Sequence, residues 1–255
     1  MRVRQALTCA AVLALLSAPL LLAQGAAPAQ GQRQAAPPAA QTETNRLVAG
    51  GGITVPGWMG VLDPRDAAAG QTVSNAKLAQ EGAMMRVTTG PAITYWNPAN
   101  KASGDYTVKA TFNEPKFQNL NDHPHPYGVV IAGNDMGTPT QSYLYCAAYG
   151  NGTFIVRGFG STAGAPSAVF NMNGRGATPN PAVHKAAGIG EPVTQEVALS
   201  VKGDKVSCSI NGAEAWSGLK ADLVAAGKLK STDGVYGLRF AHNTEATVAG
   251  LAMSK

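Results

Sequence analysis

The chain has 255 residues, of which 45% are hydrophobic and only 14% charged, and its formal net charge is +5. No run of Lys and Arg follows the N-terminal region, and basic residues do not alternate with aromatic ones, so the composition gives no support to nucleic-acid binding. The 30 glycines and the low charged fraction are typical of a β-rich protein.

The N-terminal region has the features of a secretory signal peptide. Two arginines precede an apolar run that ends near residue 22, and this run is shorter than a membrane span requires. We therefore predict a signal peptide at residues 1–23, a secreted or periplasmic location, and no membrane insertion after cleavage. Residues 24–45, rich in Ala, Gln and Pro, predict a disordered linker. The folded domain is then residues 46–255, long enough to bury one core.

Short runs of alternating polar and apolar residues recur through the domain between turn signals. Such runs predict β-strands. In chain order they occupy residues 84–88, 92–96, 105–112, 127–132, 142–149 and 153–159, three runs within 195–216, and residues 235–242 and 246–253.

The clearest pattern lies between Gln195 and Trp216, where Gly203-Asp204 and Asn211-Gly212 separate three alternating runs. Both dipeptides adopt the positive φ that two-residue hairpin loops need. The segment therefore predicts a three-stranded antiparallel meander.

Two segments lack a strand pattern. Lys220–Ala226 has apolar residues at helical spacing before Gly227, which predicts the one short helix. Residues 160–192 are rich in Gly, Ala, Pro and Asn, which predicts a long loop of functional or mobile character. About a dozen strands with one helix predict an all-β fold, a jelly-roll β-sandwich of two antiparallel sheets.

Five segments, in this order, carry a resemblance to a known superfamily: GDYTVKATF, YGVVIAG, QSYLYCAAYGNGTFIVR, VALSVKGDKVSCSINGAEAW and DGVYGLRFAH. They resemble the concanavalin A-like lectin/glucanase superfamily. More narrowly, they look like secreted bacterial domains related to laminin-G-like modules and to DUF1080-like (3-keto-disaccharide hydrolase-type) proteins. The resemblance covers about residues 55–255 and implies a sandwich whose concave sheet and rim loops hold carbohydrate. Some members bind a structural calcium, and some hydrolyse glycosidic bonds.

Aromatic side chains near strand ends are candidates for stacking on sugar rings. Trp96 ends a predicted strand and Asn97 beside it offers an amide. Tyr127 begins the next strand but one, and Tyr143 and Tyr145 share one strand face. We predict these five residues as carbohydrate contacts. The alternatives are a core position for the tryptophan and a ladder within the sheet for the two tyrosines of the shared face.

The segment Asp122-His123-Pro124-His125 is the most distinctive candidate for a catalytic or metal site in the sequence. Prolines hold the backbone extended, so His123 and His125 are expected on the same side. Two imidazoles beside a carboxylate are suited to a transition metal or to general acid–base chemistry. The alternative is a stiff polar loop. A third histidine, His184 or His242, has to come from far along the chain, and spacing alone does not bring it here.

Two further pairs of residues have open interpretations. Asn134 and Asp135 follow a strand and offer oxygen atoms to calcium, or else form a turn stabilised by their own side chains. Cys146 and Cys208 both fall on apolar strand faces. They form either a disulfide or two buried thiols, and sequence alone does not say whether their strands adjoin.

Acidic residues give little support to known glycosidase patterns. Family-16 glucanases carry Glu-x-Asp-x-x-Glu on one strand, and no glutamate of this chain's folded domain has an aspartate two residues on. Asp63 and Asp66, in LDPRD, are predicted to be solvated acids of a turn. Nucleophile elbows, phosphate loops and dinucleotide fingerprints are absent from the sequence.

These observations predict a secreted, non-catalytic carbohydrate-binding module whose partner is an oligo- or polysaccharide. No cofactor is required, although calcium fits the expectation for Asn134 and Asp135. One alternative is a glycan hydrolase or lyase of the DUF1080-like kind that uses Asp122, His123 and His125. The other is a structural or adhesion domain that binds another protein.

Overall fold

The computed structural model describes residues 45–118, 123–163 and 165–255. The predicted signal peptide, all of the predicted linker except Asn45, and Asp122 lie outside these residues, so those expectations stay predictions.

Two eight-stranded sheets build the domain. Their strands are, in chain order, β1 (Gly52–Ile53), β2 (Met59–Leu62), β3 (Ala76–Glu81), β4 (Met84–Thr89), β5 (Ile93–Ala102), β6 (Tyr106–Glu114), β7 (Tyr127–Asn134), β8 (Ser142–Ala148), β9 (Thr153–Gly160), β10 (Ala168–Asn171), β11 (Thr178–Pro179), β12 (Val193–Lys202), β13 (Lys205–Ile210), β14 (Ala213–Leu219), β15 (Gly234–Phe240) and β16 (Glu245–Ser254).

The first sheet has the order β1-β3-β4-β16-β6-β12-β13-β14, and the second has the order β10-β9-β8-β7-β15-β5-β2, with β11 also paired to β9. All pairs are antiparallel except β1 with β3. This arrangement confirms the predicted jelly-roll β-sandwich. The meander is confirmed as β12, β13 and β14, and its second turn has positive φ at Asn211 and Gly212.

The core lies between the sheets, where alternate residues of each strand point inward. Phe112 of the first sheet stacks on Tyr127 of the second, with 5.5 Å between their ring centroids. In the same layer Cys146 of β8 and Cys208 of β13 form a disulfide, with 6.2 Å between their Cα atoms. The open question about the cysteines is thus answered by a covalent link between the two sheets.

The structure corrects two sequence expectations about connecting segments. A second helix, α1 (Pro64–Ala68), precedes the expected α2 (Lys220–Leu223) and begins at a proline, which suits the first helical turn. Residues 160–192 are not a plain loop, because they contain β10 and β11, which both pair with β9. Neither strand has an alternating pattern long enough to be recognised. No helix of the described residues is long and apolar enough to cross a membrane.

Candidate functional site

The outer face of the second sheet carries its own apolar layer. Strand β8 is buried along its whole length, which means that both of its faces are covered. Toward the first sheet it presents Leu144 and Cys146, and on the outer face it presents Tyr143, Tyr145 and Ala147. These three pack with residues of the neighbouring strands, namely Val130, Ile155 and Phe159.

A buried ion pair lies on this apolar layer. Arg239 of β15 donates to both carboxylate oxygens of Asp63, from Nη1 to Oδ1 over 2.5 Å and from Nη2 to Oδ2 over 2.6 Å. The guanidinium also lies 5.2 Å from the ring centroid of Tyr145, within cation–π range. Burial by itself lowers the pKa of Arg239. The Asp63 carboxylate raises this pKa by more than burial lowers it, so the arginine stays charged. The expectation that Asp63 is a solvated turn residue is therefore wrong.

Three histidines meet where β7 begins and β15 ends. Tyr127 of β7 pairs with Phe240 of β15, and one position further out the backbone N–H of Ala241 donates to the carbonyl of Pro126 over 3.0 Å. This register places His242 opposite His125. The ring centroids are 4.2 Å apart for this pair.

His123 completes the cluster, 4.3 Å from His125 and 5.9 Å from His242 between ring centroids. One ring nitrogen of each histidine lies within 4.8 Å of the others. His125 is buried and the other two are half-buried. The predicted pairing of His123 with His125 on one side is therefore observed, and the distant histidine that joins them is His242 rather than His184. Asp122 lies outside the described residues.

The histidines and the ion pair line one pocket of about 270 Å³. Its walls also include aromatic, basic and apolar side chains, contributed mainly by β8, β9 and β10: Tyr145, Tyr149, Ile155, Arg157 and Val169. Burial raises the pKa of both tyrosines, so their hydroxyl groups are protonated at neutral pH and are able to donate hydrogen bonds.

The predicted aromatic contacts divide between this pocket and the interior. Tyr127 is fully buried in the core between the sheets, and a ligand on the outer face does not reach it. Tyr143 is also buried and its hydroxyl lies 3.0 Å from Thr94 Oγ1, which places it below the pocket floor. Tyr145 is the one predicted aromatic that lines the pocket.

Trp96 and Asn97 do not form a stacking platform. Trp96 is 4% exposed, and its ring packs against the turn at Gly137. Asn97 accepts a hydrogen bond from the backbone N–H of Ala99 over 2.9 Å, which stabilises the local turn. Neither residue lines the pocket that contains the histidines.

The residues expected to bind calcium are engaged in hydrogen bonds. The side-chain amide of Asn134 donates to the carbonyls of Ala132 and Asp233, over 3.0 and 2.9 Å. The carboxylate of Asp135 forms an ion pair with Lys230. Calcium takes six to eight oxygen ligands, and a single carboxylate already paired with an ammonium group does not fit that requirement. These contacts instead describe a stabilised turn.

Sequence reasoning did not assign Asp63, Arg157 or Arg239 to a site, and it left open whether His184 or His242 joins the other two histidines. Arg157 and Arg239 stand alone in otherwise apolar strands, and a charged residue in a strand covered on both faces is a signal for a buried ion pair or a site. The sequence around His242 did not show that it joins the other histidines, because its spatial neighbours depend on how β15 is aligned with β7.

Comparisons with known proteins give fold likenesses only. No protein-family model matches the chain, and no curated protein matches it. Solved structures that are similar include the carbohydrate binding module CBM66 from Bacillus subtilis, with 11% identity, 80% of this chain and 98% of that chain covered, and a TM-score of 0.48.

A protein of unknown function with a galectin-like fold, also from Bacillus subtilis, has 13% identity over 77% of this chain and 88% of that chain, with a TM-score of 0.47. The endo-β-1,3-glucanase from Pyrococcus furiosus has 11% identity over 80% of this chain and 92% of that chain, with a TM-score of 0.45. These likenesses assign no role to any residue of this chain.

Proposed function

We propose that this domain binds a carbohydrate in the pocket on the outer face of the second sheet. The observation that carries the proposal is the composition of that pocket, where the half-buried Tyr149 stands beside two arginines and three histidines, above the buried Tyr145. Aromatic faces pack against the C–H groups of a sugar ring, and charged or hydroxyl donors bind its oxygen atoms. Export by the N-terminal signal peptide is part of the same proposal.

The charges of the pocket favour a sugar that carries an acidic group. Asp63 compensates Arg239, whereas no ion pair among the described residues includes Arg157. One Nη atom of Arg157 donates to the carbonyl of Arg175 over 2.6 Å, which orients the guanidinium without neutralising it. A carboxylate or sulfate on the ligand supplies the missing counter-charge through a charge-assisted hydrogen bond.

Calorimetric titration with matched neutral and acidic oligosaccharides tests this proposal. We expect an acidic member of the panel to bind and Arg157→Gln to weaken its binding at least about tenfold, the effect of losing one charged hydrogen bond. Arg86→Gln is the matched control, because Arg86 is an exposed residue of the first sheet that pairs with Glu81 and Glu245. If no saccharide binds, or if the two variants weaken binding equally, the proposal is wrong.

A second candidate is a glycan hydrolase or lyase of the DUF1080-like kind, favoured by the convergence of His123, His125 and His242 in one pocket. Among the described residues that line the pocket, the only carboxylate is Asp63, which Arg239 already binds. This arrangement does not suit a mechanism with two carboxylates, so imidazole acid–base chemistry is the relevant alternative.

Product analysis separates the two candidates. The oligosaccharides that bind are incubated with the protein and then examined by mass spectrometry. Intact ligand supports a binding module, and cleaved ligand whose formation is lost in His125→Gln supports the enzyme. An adhesion domain, the third possibility from the sequence, has no need of a pocket and becomes the preferred interpretation if no saccharide binds.

A further inference from the structure

We propose that His123, His125 and His242 hold a divalent first-row transition metal ion, with zinc as the reference case. Nothing in the carbohydrate-binding proposal requires this ion, and the inference rests on the geometry of the three imidazoles. Neutral imidazole nitrogen is a preferred ligand of zinc, copper, nickel and cobalt, and three histidines with a fourth open position form a known type of zinc site.

The distances are close to those that a metal needs. Around a tetrahedral zinc with metal–nitrogen bonds of about 2.1 Å, the ligand nitrogens are about 3.4 Å apart. The three candidate nitrogens already lie within 4.8 Å of one another. Small rotations about the side-chain torsions of the histidines bring the nitrogens to the shorter separation, because rotation of an imidazole ring about its terminal torsion costs little energy.

The backbone holds two of the ligands in a fixed relation. His125 stands between Pro124 and Pro126, which fix φ and keep the segment extended. The hydrogen bond from Ala241 to Pro126 then ties this segment to the residue before His242. A site assembled before the metal arrives loses less conformational entropy on binding, which favours affinity.

The turn that carries His242 is anchored on its other side as well. The backbone N–H of Asn243 donates to the carbonyl of Gly90 over 3.0 Å. The next N–H, of Thr244, donates to Thr89 Oγ1 over 2.8 Å. His242 is therefore held between the β15 register and a second set of contacts to the end of β4.

Within the described part of the chain, the surroundings leave room for a fourth ligand. Asp63 is bound on both oxygens by Arg239, so it is not available to close the coordination sphere. The three histidines line the open pocket, so a water molecule or a ligand oxygen takes the fourth position from that side. That a saccharide oxygen does so rests on the proposed function, whereas metal binding itself does not.

The test is metal binding to untagged, chelator-treated protein without any saccharide. The protein without the predicted signal peptide lacks Cys9, so its two cysteines are those of the disulfide. Titration with Co²⁺ is followed by its visible absorption, which is strong for a tetrahedral site, and Zn²⁺ is measured by competition. His242→Gln and His123→Gln each remove one ligand. His184→Gln is the matched control, because His184 is exposed, lies outside the cluster and bonds to the carbonyl of Thr194.

We expect one equivalent of tetrahedral Co²⁺, an affinity loss of at least about tenfold in each ligand variant, and no loss in His184→Gln. Zinc is also expected to raise the Tm of the parent protein and of His184→Gln, but not the Tm of the two ligand variants. The proposal is overturned if the parent binds no Co²⁺, if either folded ligand variant binds as the parent does, or if His184→Gln loses affinity equally. If His242→Gln does not fold, His123→Gln decides, because His123 lies outside every strand.

Discussion

Two parallel hydrogen bonds join Arg239, in the middle of the second sheet, to Asp63, which directly precedes α1. The residues are 176 positions apart in the chain. The arginine side chain is only 7% exposed, because Tyr145 and Phe159 cover it. The pair thus fixes the segment before α1 to the floor of the pocket.

Asp63→Asn is expected to destabilise the domain strongly. Removing one partner leaves a buried guanidinium without its counter-charge, which costs roughly 3 kcal/mol of unfolding free energy. Glu196→Gln is the control, because its partner Lys109 is exposed and a surface pair contributes at most about 1 kcal/mol. Urea denaturation measures both. A loss for Asp63→Asn no larger than that of the control contradicts the structural role of the pair.

Glu114 predicts a pH-dependent loss of stability. Burial raises the pKa of Glu114 to about 7, and the polar groups of Gln118 and Tyr127 near it offset only part of this. The folded state therefore keeps a proton that the unfolded state has lost in the window between the two pKa values. In that window the unfolding free energy falls as the pH rises.

Glu114→Gln isolates this effect. The amide stays neutral at every pH, so the variant is expected to lose less stability than the parent when the pH is raised from about 4 to about 8, with a difference of roughly 3 kcal/mol. Urea denaturation across this pH range is the measurement. If the curves of parent and variant stay parallel, Glu114 does not titrate as proposed.

The disulfide is expected to contribute substantially to stability. Cys146 and Cys208 are 62 residues apart, and closing a loop of this length lowers the entropy of the unfolded chain, which raises the unfolding free energy by about 4 kcal/mol in the chain-entropy description. The double variant Cys146→Ser/Cys208→Ser should therefore have a lower Tm than the parent protein. Thiol labelling of the denatured parent before reduction gives an independent check. Labelling of both Cys146 and Cys208 at that stage excludes the bond.

Calcium is expected to have no effect on the Tm. Lys230 already neutralises the Asp135 carboxylate, and this exposed pair contributes at most about 1 kcal/mol. Asp135→Asn should change the Tm little, because asparagine tolerates the positive φ of 49° at this position. A calcium-dependent rise in Tm that is lost in Asp135→Asn restores the calcium interpretation.

The sequence predicted most of the longer strands and missed the shortest ones. The strands from β4 to β9 and from β12 to β16 each span at least six residues between turn signals, so their alternating or continuous apolar patterns are readable. Strands β1 and β11 contain two residues each and have no period. They exist because a neighbouring strand offers unpaired backbone groups, which is a tertiary effect that local sequence does not contain.

For the candidate site, the sequence identified the histidine segment around His125 and one aromatic residue, Tyr145. The prolines around His125 made that segment conspicuous, and Tyr145 was chosen for its strand face. His242 and Asp63 became part of the site through the alignment of β15 and the position of α1, which the sequence leaves open. Tyr127 was misassigned because a strand's period defines two faces but does not say which one meets the other sheet.

The disulfide lies directly behind the pocket, because Cys146 follows Tyr145 in β8 and points to the opposite face. Strand β8, which forms the pocket floor, is therefore covalently linked to the first sheet. Protein prepared in a reducing cytoplasm has the same strand without that anchor, so its floor is freer to shift under a bound ligand. Affinities measured on oxidised and reduced preparations are consequently not interchangeable, and the oxidation state belongs in the description of every sample.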